Sequence, residues 1–267
     1  MWFKIFYLSV KRNGWRQIFF YLGNLDIYRF IEYSIIIQYL KEENNTGTTL
    51  DIGGGYSIFA SLYKFNDYTL VDLSKGACEY QKIHGVKSIC TDMRNIPLEA
   101  KSVSTIIAIS SIEHVPDDDG VFKEISRLMK DDGIAIITVP FTNKKTVVKT
   151  IIRSPRAINI LHKYIKIWGF ILGKDHLQYF LEQTSVDTTI KYYSLDDLEK
   201  VLSRYSLRIA DYKLFGKKLI GHTFKIIPPG WFVLKDILLG WPEFYSEKYF
   251  YSNNDNAGGI VMRVVKK

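Results

Sequence analysis

Residues 50–57 read LDIGGGYS, an apolar run, an aspartate and then the glycines Gly53, Gly54 and Gly55. A glycine turn between a strand and a helix lets backbone approach a ligand closely, and the helix start offers free N–H groups. Asp72 lies 19 residues past Gly53, at the end of the next apolar run, where a carboxylate can accept hydrogen bonds from ribose hydroxyls. These residues describe a nucleotide site, and Asp51 narrows its chemistry. A dinucleotide would set a doubly charged pyrophosphate on the turn, which a carboxylate there repels. The spacing G-x-G-x-x-G also fails, because Ile58 stands at its third glycine. A cofactor with an ammonium and a sulfonium but no phosphate is attracted instead, and S-adenosylmethionine is such a cofactor.

A second group could serve the acceptor. Glu113 and His114 follow the apolar run STIIAIS, and a histidine whose ordinary pKa is about 6.5 suits proton removal near neutrality. His176 stands in KDHLQYF, before a late helix signal. Each candidate has a plainer reading. Asp51 and Asp72 could cap helices, Glu113 and His114 could cap and pack the helix after them, and His176 could be an ordinary surface histidine.

The elements that must position these residues alternate. Strand patterns at 48–52, 68–72, 86–90, 104–110 and 133–139 are short, β-branched and bounded by Gly, Asp or Ser. The helical run GVFKEISRLMK precedes the turn signal Asp131, Asp132, Gly133. Such alternation predicts a doubly wound parallel sheet. A densely apolar helix over 26–41 is expected to cover the sheet or the site. A Ser194-x-x-Asp197 capping pattern opens a helix to Arg204, and strands follow at 207–215 and 258–265. The expected organisation is one domain: a helical cover (1–45), a cofactor core (46–142), a basic insertion or lid (143–190), a late helix and strand (191–215), a second insertion (216–257) and the last strand (258–267).

The turn DIGGGYS resembles motif I of the class I S-adenosylmethionine-dependent methyltransferases, of the methyltransferase type 11 kind, with Ser57 where a glycine is usual. LVDLS (70–74) resembles the ribose-binding motif, and TDMRNIPLEAKSVSTIIAISSIEHVPD (91–117) the adenine-binding aspartate with the fourth strand. FKEISRLMKDDGIAIITVPF (122–141) is similar to the helix and fifth strand, and YYSLDDLEKVL (192–202) to the family's late helix. The resemblance implies a Rossmann-like seven-stranded sheet whose last strand is antiparallel, with helical and aromatic insertions after the fifth strand and between the sixth and seventh. It further implies that Asp51, Gly53, Gly54 and Gly55 lie at the amino-acid end of the cofactor. Asp72 and Leu73 would meet the ribose, Asp92 and Met93 the adenine, and Ser110 and Ser111 the methyl region. Some relatives carry E-x-x-E-H at the fourth strand and hold a divalent metal there. Ser110 replaces the first Glu, so no metal is expected. The expected activity is methylation of an oxygen or nitrogen of a small-molecule, glycan or lipid-linked acceptor. The alternatives are a non-catalytic domain of the same fold, and a nicotinamide oxidoreductase; the latter lacks a Tyr-x-x-x-Lys pair after the fourth strand.

The net charge of +8 is concentrated. Residues 141–174 hold eight Lys or Arg and no Asp or Glu. As a helix from Arg156, they set Arg156, Asn159, His162, Lys163 and Lys166 opposite Ile158, Leu161, Ile165, Trp168 and Leu172. This pattern suits either an interfacial helix on an anionic membrane or a lid packed on the domain. Nucleic acid could use the charge but leaves the apolar face without a role. Two cysteines without metal-ligand spacing, no signal-peptide pattern and no run of about 20 uncharged apolar residues predict a cytoplasmic protein, with peripheral membrane contact open.

Overall fold

The computed structural model describes residues 7, 11, 27–43, 47–151, 188–217 and 257–267. The chain alternates as the sequence predicts. Helix α1 (Ile27–Glu42) leads into β1 (Thr48–Ile52), a single turn α2 (Phe59–Leu62), β2 (Asp67–Asp72), α3 (Lys75–Ile83) and β3 (Lys87–Cys90). Then come β4 (Val103–Ile109), a 3-10 turn (Ile112–His114), α4 (Asp118–Leu128) and β5 (Met129–Pro140). Strands β6 (Val147–Ile151) and β7 (Thr188–Tyr192), helix α5 (Leu195–Arg204) and strands β8 (Leu207–Lys217) and β9 (Ala257–Lys266) complete the described elements.

Seven strands form one sheet in the order β3-β2-β1-β4-β5-β9-β8. The first five pair in parallel, and β9 runs antiparallel between β5 and β8. Reversal of strand order beside β1 opens a crevice at the carboxyl ends of β1 and β4, where open α/β sheets bind ligands.

Period-two alternation sends successive side chains to opposite faces. Ile106, Ala108, Ala135 and Ile137 join α4 and α5 in one core, while Ile107, Ile109, Ile134 and Ile136 join α1 in the other. Ile31, Ile35, Ile36, Tyr39 and Leu40 of α1 are buried, so this helix covers the sheet as expected. On the opposite face, Ser194 Oγ accepts from Asp197 N at 3.3 Å and caps α5.

Two boundaries differ from the sequence reading. Helix α4 stops at Leu128, and the Asp131–Gly133 signal lies inside β5. Met129 already pairs with Val103, and the turn signal marks the irregularity between Val103 and Thr105. A Cβ on Gly133 would lie 3.0 Å from Ser104 O, so the bulge is too tight for a side chain. The flanks of the first insertion form an antiparallel ribbon, β6 with β7, which the sequence pattern does not predict. The helix read from Arg156 and most of 216–257 lie outside the described residues. Among the described residues no helix is long and apolar enough to cross a membrane.

Candidate active site

Strand β1 ends in the glycine turn because Gly53 and Gly55 adopt φ of +73° and +55°, left-handed conformations that glycine enters without penalty. A Cβ on Gly53 would lie 2.5 Å from Ser111 Cβ, and one on Gly54 2.8 Å from Asp51 Oδ2. Residues 53–54 therefore thread between Ser111 and the Asp51 carboxylate. Ser111 Oγ donates to Ile52 O at 3.0 Å and ties the end of β4 to the turn. Ser57 Oγ accepts from Phe59 N at 3.0 Å, which gives the serine at the motif's last glycine a local role.

Asp51 is fully buried, with the Tyr68 hydroxyl donating to Oδ2. Among the described residues Oδ1 has no hydrogen-bond partner. Burial pushes this carboxyl up to about 7, Tyr68 opposes the shift and the nearby Asp72 adds to it. Asp51 does not cap a helix, because it lies in β1 and its hydrogen bond is to a β2 side chain.

Asp72 ends β2 and grips the same turn. Its Oδ2 accepts from Gly55 N at 2.9 Å and its Oδ1 from Ser74 N at 2.8 Å. Burial raises its pKa and those two N–H groups oppose the rise. The cap of α3 is Ser74, not Asp72. Leu73, beside it, is 72% exposed, an uncovered apolar rim to the crevice. Gln81 of α3 is fully buried and donates to Gly55 O at 2.8 Å and Ser57 O at 2.9 Å. A glutamine in an amphipathic helix gave no sign of this clamp.

Met93 reaches the turn, with Cε 3.0 Å from where a Gly53 Cβ would stand. Asp92 is held by Arg94, whose Nη2 lies 2.6 Å from Oδ2 and whose Nε donates to Oδ1 at 3.0 Å. The guanidinium keeps the Asp92 pKa below its ordinary value. An adenine amine would therefore share this carboxylate with Arg94.

The end of β4 is built from distant segments. Ser110 adopts φ of +43°, uncommon for a residue with a Cβ. Its N–H donates to Thr138 Oγ1 at 2.9 Å, and its hydroxyl donates to Glu32 Oε1 at 2.6 Å. Glu32, on α1 and only 2% exposed, also accepts from Thr138 Oγ1. The signal for Glu32 was a carboxylate amid the apolar run IYRFIEYSIII. Glu113 is buried, while His114 is 46% exposed with Nε2 3.9 Å from Glu113 Oε1. His114 Nδ1 lies 3.2 Å from Thr189 O of β7. Neither caps the next helix, since Asp117 accepts from Gly120 N at the start of α4. His176 lies outside the described residues. Among the described residues no group of three His, Cys, Asp or Glu is placed to hold a metal.

Asp51, the three glycines, Asp72, Met93 and Ser111 thus converge on one corner. The corner fits S-adenosylmethionine: an ammonium brings N–H donors and a charge suited to the uncommitted Asp51 Oδ1. A pyrophosphate would face a carboxylate directly beneath the turn, which disposes of the nicotinamide alternative.

No curated protein matches the sequence. Among solved structures, the chain is similar to an S-adenosylmethionine-dependent methyltransferase from Clostridium acetobutylicum (16% identity, 95% of this chain and 98% of that one, TM-score 0.56). It is also similar to the 1,6-didemethyltoxoflavin-N1-methyltransferase of Burkholderia thailandensis with bound 1,6-didemethyltoxoflavin and S-adenosylhomocysteine (14%, 98% and 89%, TM-score 0.52). A third is a methyltransferase described as a possible histamine N-methyltransferase from Thermotoga maritima (16%, 95% and 99%, TM-score 0.51). At these identities the likeness speaks for the fold. The methyltransferase domain family profile matches residues 50–137. That span runs from β1 to β5 and carries the whole cofactor corner, so it is this part of the chain that matches a methyltransferase domain.

Proposed function

We propose that the methyl group passes to an oxygen or nitrogen of a small-molecule, glycan or lipid-linked acceptor, which enters beside the 3-10 turn with His114 as its base. The observation that carries this reading is the bond between His114 Nδ1 and Thr189 O at 3.2 Å. A carbonyl oxygen only accepts, so Nδ1 holds the hydrogen and the lone pair of the neutral ring sits on Nε2. Nε2 is the atom facing Glu113, whose carboxylate would stabilise the imidazolium formed by proton uptake.

Bound S-adenosylmethionine supplies a methyl group on an already activated sulfonium, so the chain's task is in-line placement. Asp51 would hold the ammonium, Gly53, Gly54 and Gly55 would pass beneath the amino-acid part, and Asp72 with Leu73 would meet the ribose. Asp92 and Met93 would border the adenine. Ser110 and Ser111 would line the methyl region, with Glu32 holding Ser110 in place. His176 would border the acceptor.

The test uses labelled S-adenosylmethionine and a fractionated cell extract, followed by mass analysis of the labelled product. His114→Asn is expected to lower the rate by about 10²-fold or more while S-adenosylhomocysteine affinity holds. An unchanged rate would remove His114 as the base.

A second reading concerns where the acceptor resides. Val147 and Val148 are 45% and 57% exposed on β6, which lies inside the basic segment. Exposed apolar residues beside eight cations favour peripheral contact with an anionic membrane through 144–174, and an acceptor anchored in it. Vesicle sedimentation tests this. Equal recovery with neutral and anionic vesicles, unaffected by Lys163→Glu with Lys166→Glu, would leave the segment as a lid.

A further inference from the structure

The chain's two cysteines stand 12 residues apart, yet the fold brings them to one corner of the cofactor site. Parallel pairing of β2 with β3 sets Cys90 opposite Asp72. Cys78 comes from the first turns of α3. Its thiol donates to Asp72 O at 3.5 Å, and the Cys90 thiol donates to Leu73 O at 3.6 Å. The two sulfurs thus hang on successive carbonyls of the residues assigned to the ribose. Cys90 is exposed and Cys78 is buried.

We propose that Cys78 and Cys90 form a thiol–disulfide exchange site that reacts with small-molecule disulfides and, on closing, weakens the cofactor corner. The exposed Cys90 reacts first. Its thiolate attacks one sulfur of the small disulfide, forming a mixed disulfide, and the other half leaves as a thiolate that takes up the released proton. Cys78 then gives up its proton and attacks the Cys90 sulfur, and the second half leaves as a thiol. Two protein thiols are oxidised to one disulfide and one small disulfide is reduced to two thiols. The order follows from access, since Cys90 is exposed and Cys78 is buried; burial, with Cys90 and Asp72 adding to it, also pushes Cys78 up to about 11, which disfavours its thiolate.

Closure removes two S–H donors from the carbonyls of Asp72 and Leu73 and draws α3 against the end of β3. Asp72 is the residue that holds Gly55 N and Ser74 N, so a shift there loosens the glycine turn. This consequence rests on the assignment of the corner to S-adenosylmethionine, whereas bond formation does not.

The experiment treats reduced full-length protein with oxidised glutathione, blocks remaining thiols, weighs the intact chain and titrates it with S-adenosylhomocysteine. Wild type is expected to lose both thiols to an internal disulfide. Cys78→Ala should stall with glutathione on residue 90, and Cys90→Ser, which keeps a donor near Leu73 O, should not react. Oxidised wild type should bind S-adenosylhomocysteine about tenfold more weakly, within the usual range of coupling between linked sites, and recover with dithiothreitol. Two persisting free thiols, or a stalled glutathione adduct on wild type, overturn the exchange site. A disulfide that leaves affinity unchanged overturns its coupling to the cofactor. Reduced protein that does not bind S-adenosylhomocysteine overturns the cofactor assignment, while the mass result still decides the exchange.

Discussion

The two ends of the crevice are assembled in different ways. At the end of β1, most hydrogen bonds are shorter-range in sequence: Asp72 reaches back 17 residues to Gly55 and forward two to Ser74, while Ser111 reaches Ile52 across 59. At the end of β4 they span the chain. Ser110 is held by Glu32 from 78 residues away, Thr138 meets Glu32 across 106, and His114 meets Thr189 across 75. The first region is built mainly by neighbouring segments, β1 with its turn and β2, and is tied to β4 through Ser111. The second exists only when the cover helix and the ribbon are docked. Cofactor binding should therefore depend on the core itself, and acceptor handling on what is laid over it.

The largest effect should come from the local corner. Asp72→Ala removes the acceptor of two backbone N–H groups and, in the proposed assignment, of the ribose hydroxyls, each such bond contributing about 1.5–3 kcal/mol. S-adenosylhomocysteine affinity is expected to fall about 100-fold, or about 3 kcal/mol, by calorimetry. A loss under threefold would contradict the assignment of Asp72.

The next effect belongs to the docked end and should leave cofactor affinity alone. Glu32→Ala strands two hydroxyls that now donate to one buried carboxylate, at a stability cost of about 1–3 kcal/mol. Thermal unfolding should occur at lower temperature while S-adenosylhomocysteine affinity stays within about twofold of wild type. An equal loss of both quantities would erase the distinction between the two ends.

A smaller effect concerns Asp51 in the free protein. Its folded pKa of about 7 lies above its ordinary value of 3.8, so the native state holds a proton that the unfolded chain gives up between these values. The stability it contributes is full below pH 3.8 and is lost as pH rises through about 7. Asp51→Asn removes that loss. Denaturant midpoints should separate in the mutant's favour between pH 5 and pH 8, and parallel pH profiles would contradict the burial of this charge.

The same contrast explains what the sequence made legible. The strand–helix alternation, the glycine turn, Asp72 at the end of β2 and the α5 cap could all be read, because β-branched runs, turn residues and capping patterns act within a few residues of themselves. Gln81, Tyr68 and Glu32 could not be assigned partners, since a buried polar side chain has no local signature of what it meets. The β6–β7 ribbon was hidden for a related reason: its strands lie far apart in sequence, and KTVVK and TTIKYY are too short to show a period alone. Asp51 was read as a carboxylate at the turn, but its full burial, and hence its raised pKa, depends on the sheet closing around it.

Asp51, beneath the glycine turn, is assigned to receive the cofactor's ammonium. Calorimetric titration with S-adenosylhomocysteine at pH 6, in two buffers of different ionisation enthalpy, tests it most directly. Below its pKa of about 7 Asp51 must lose a proton to pair with the ammonium. Wild type is therefore predicted to release a proton on binding at pH 6 and almost none at pH 8.5, and Asp51→Asn to bind more weakly with no release at either pH. Equal binding by wild type and Asp51→Asn, with no proton released at pH 6, would contradict the account.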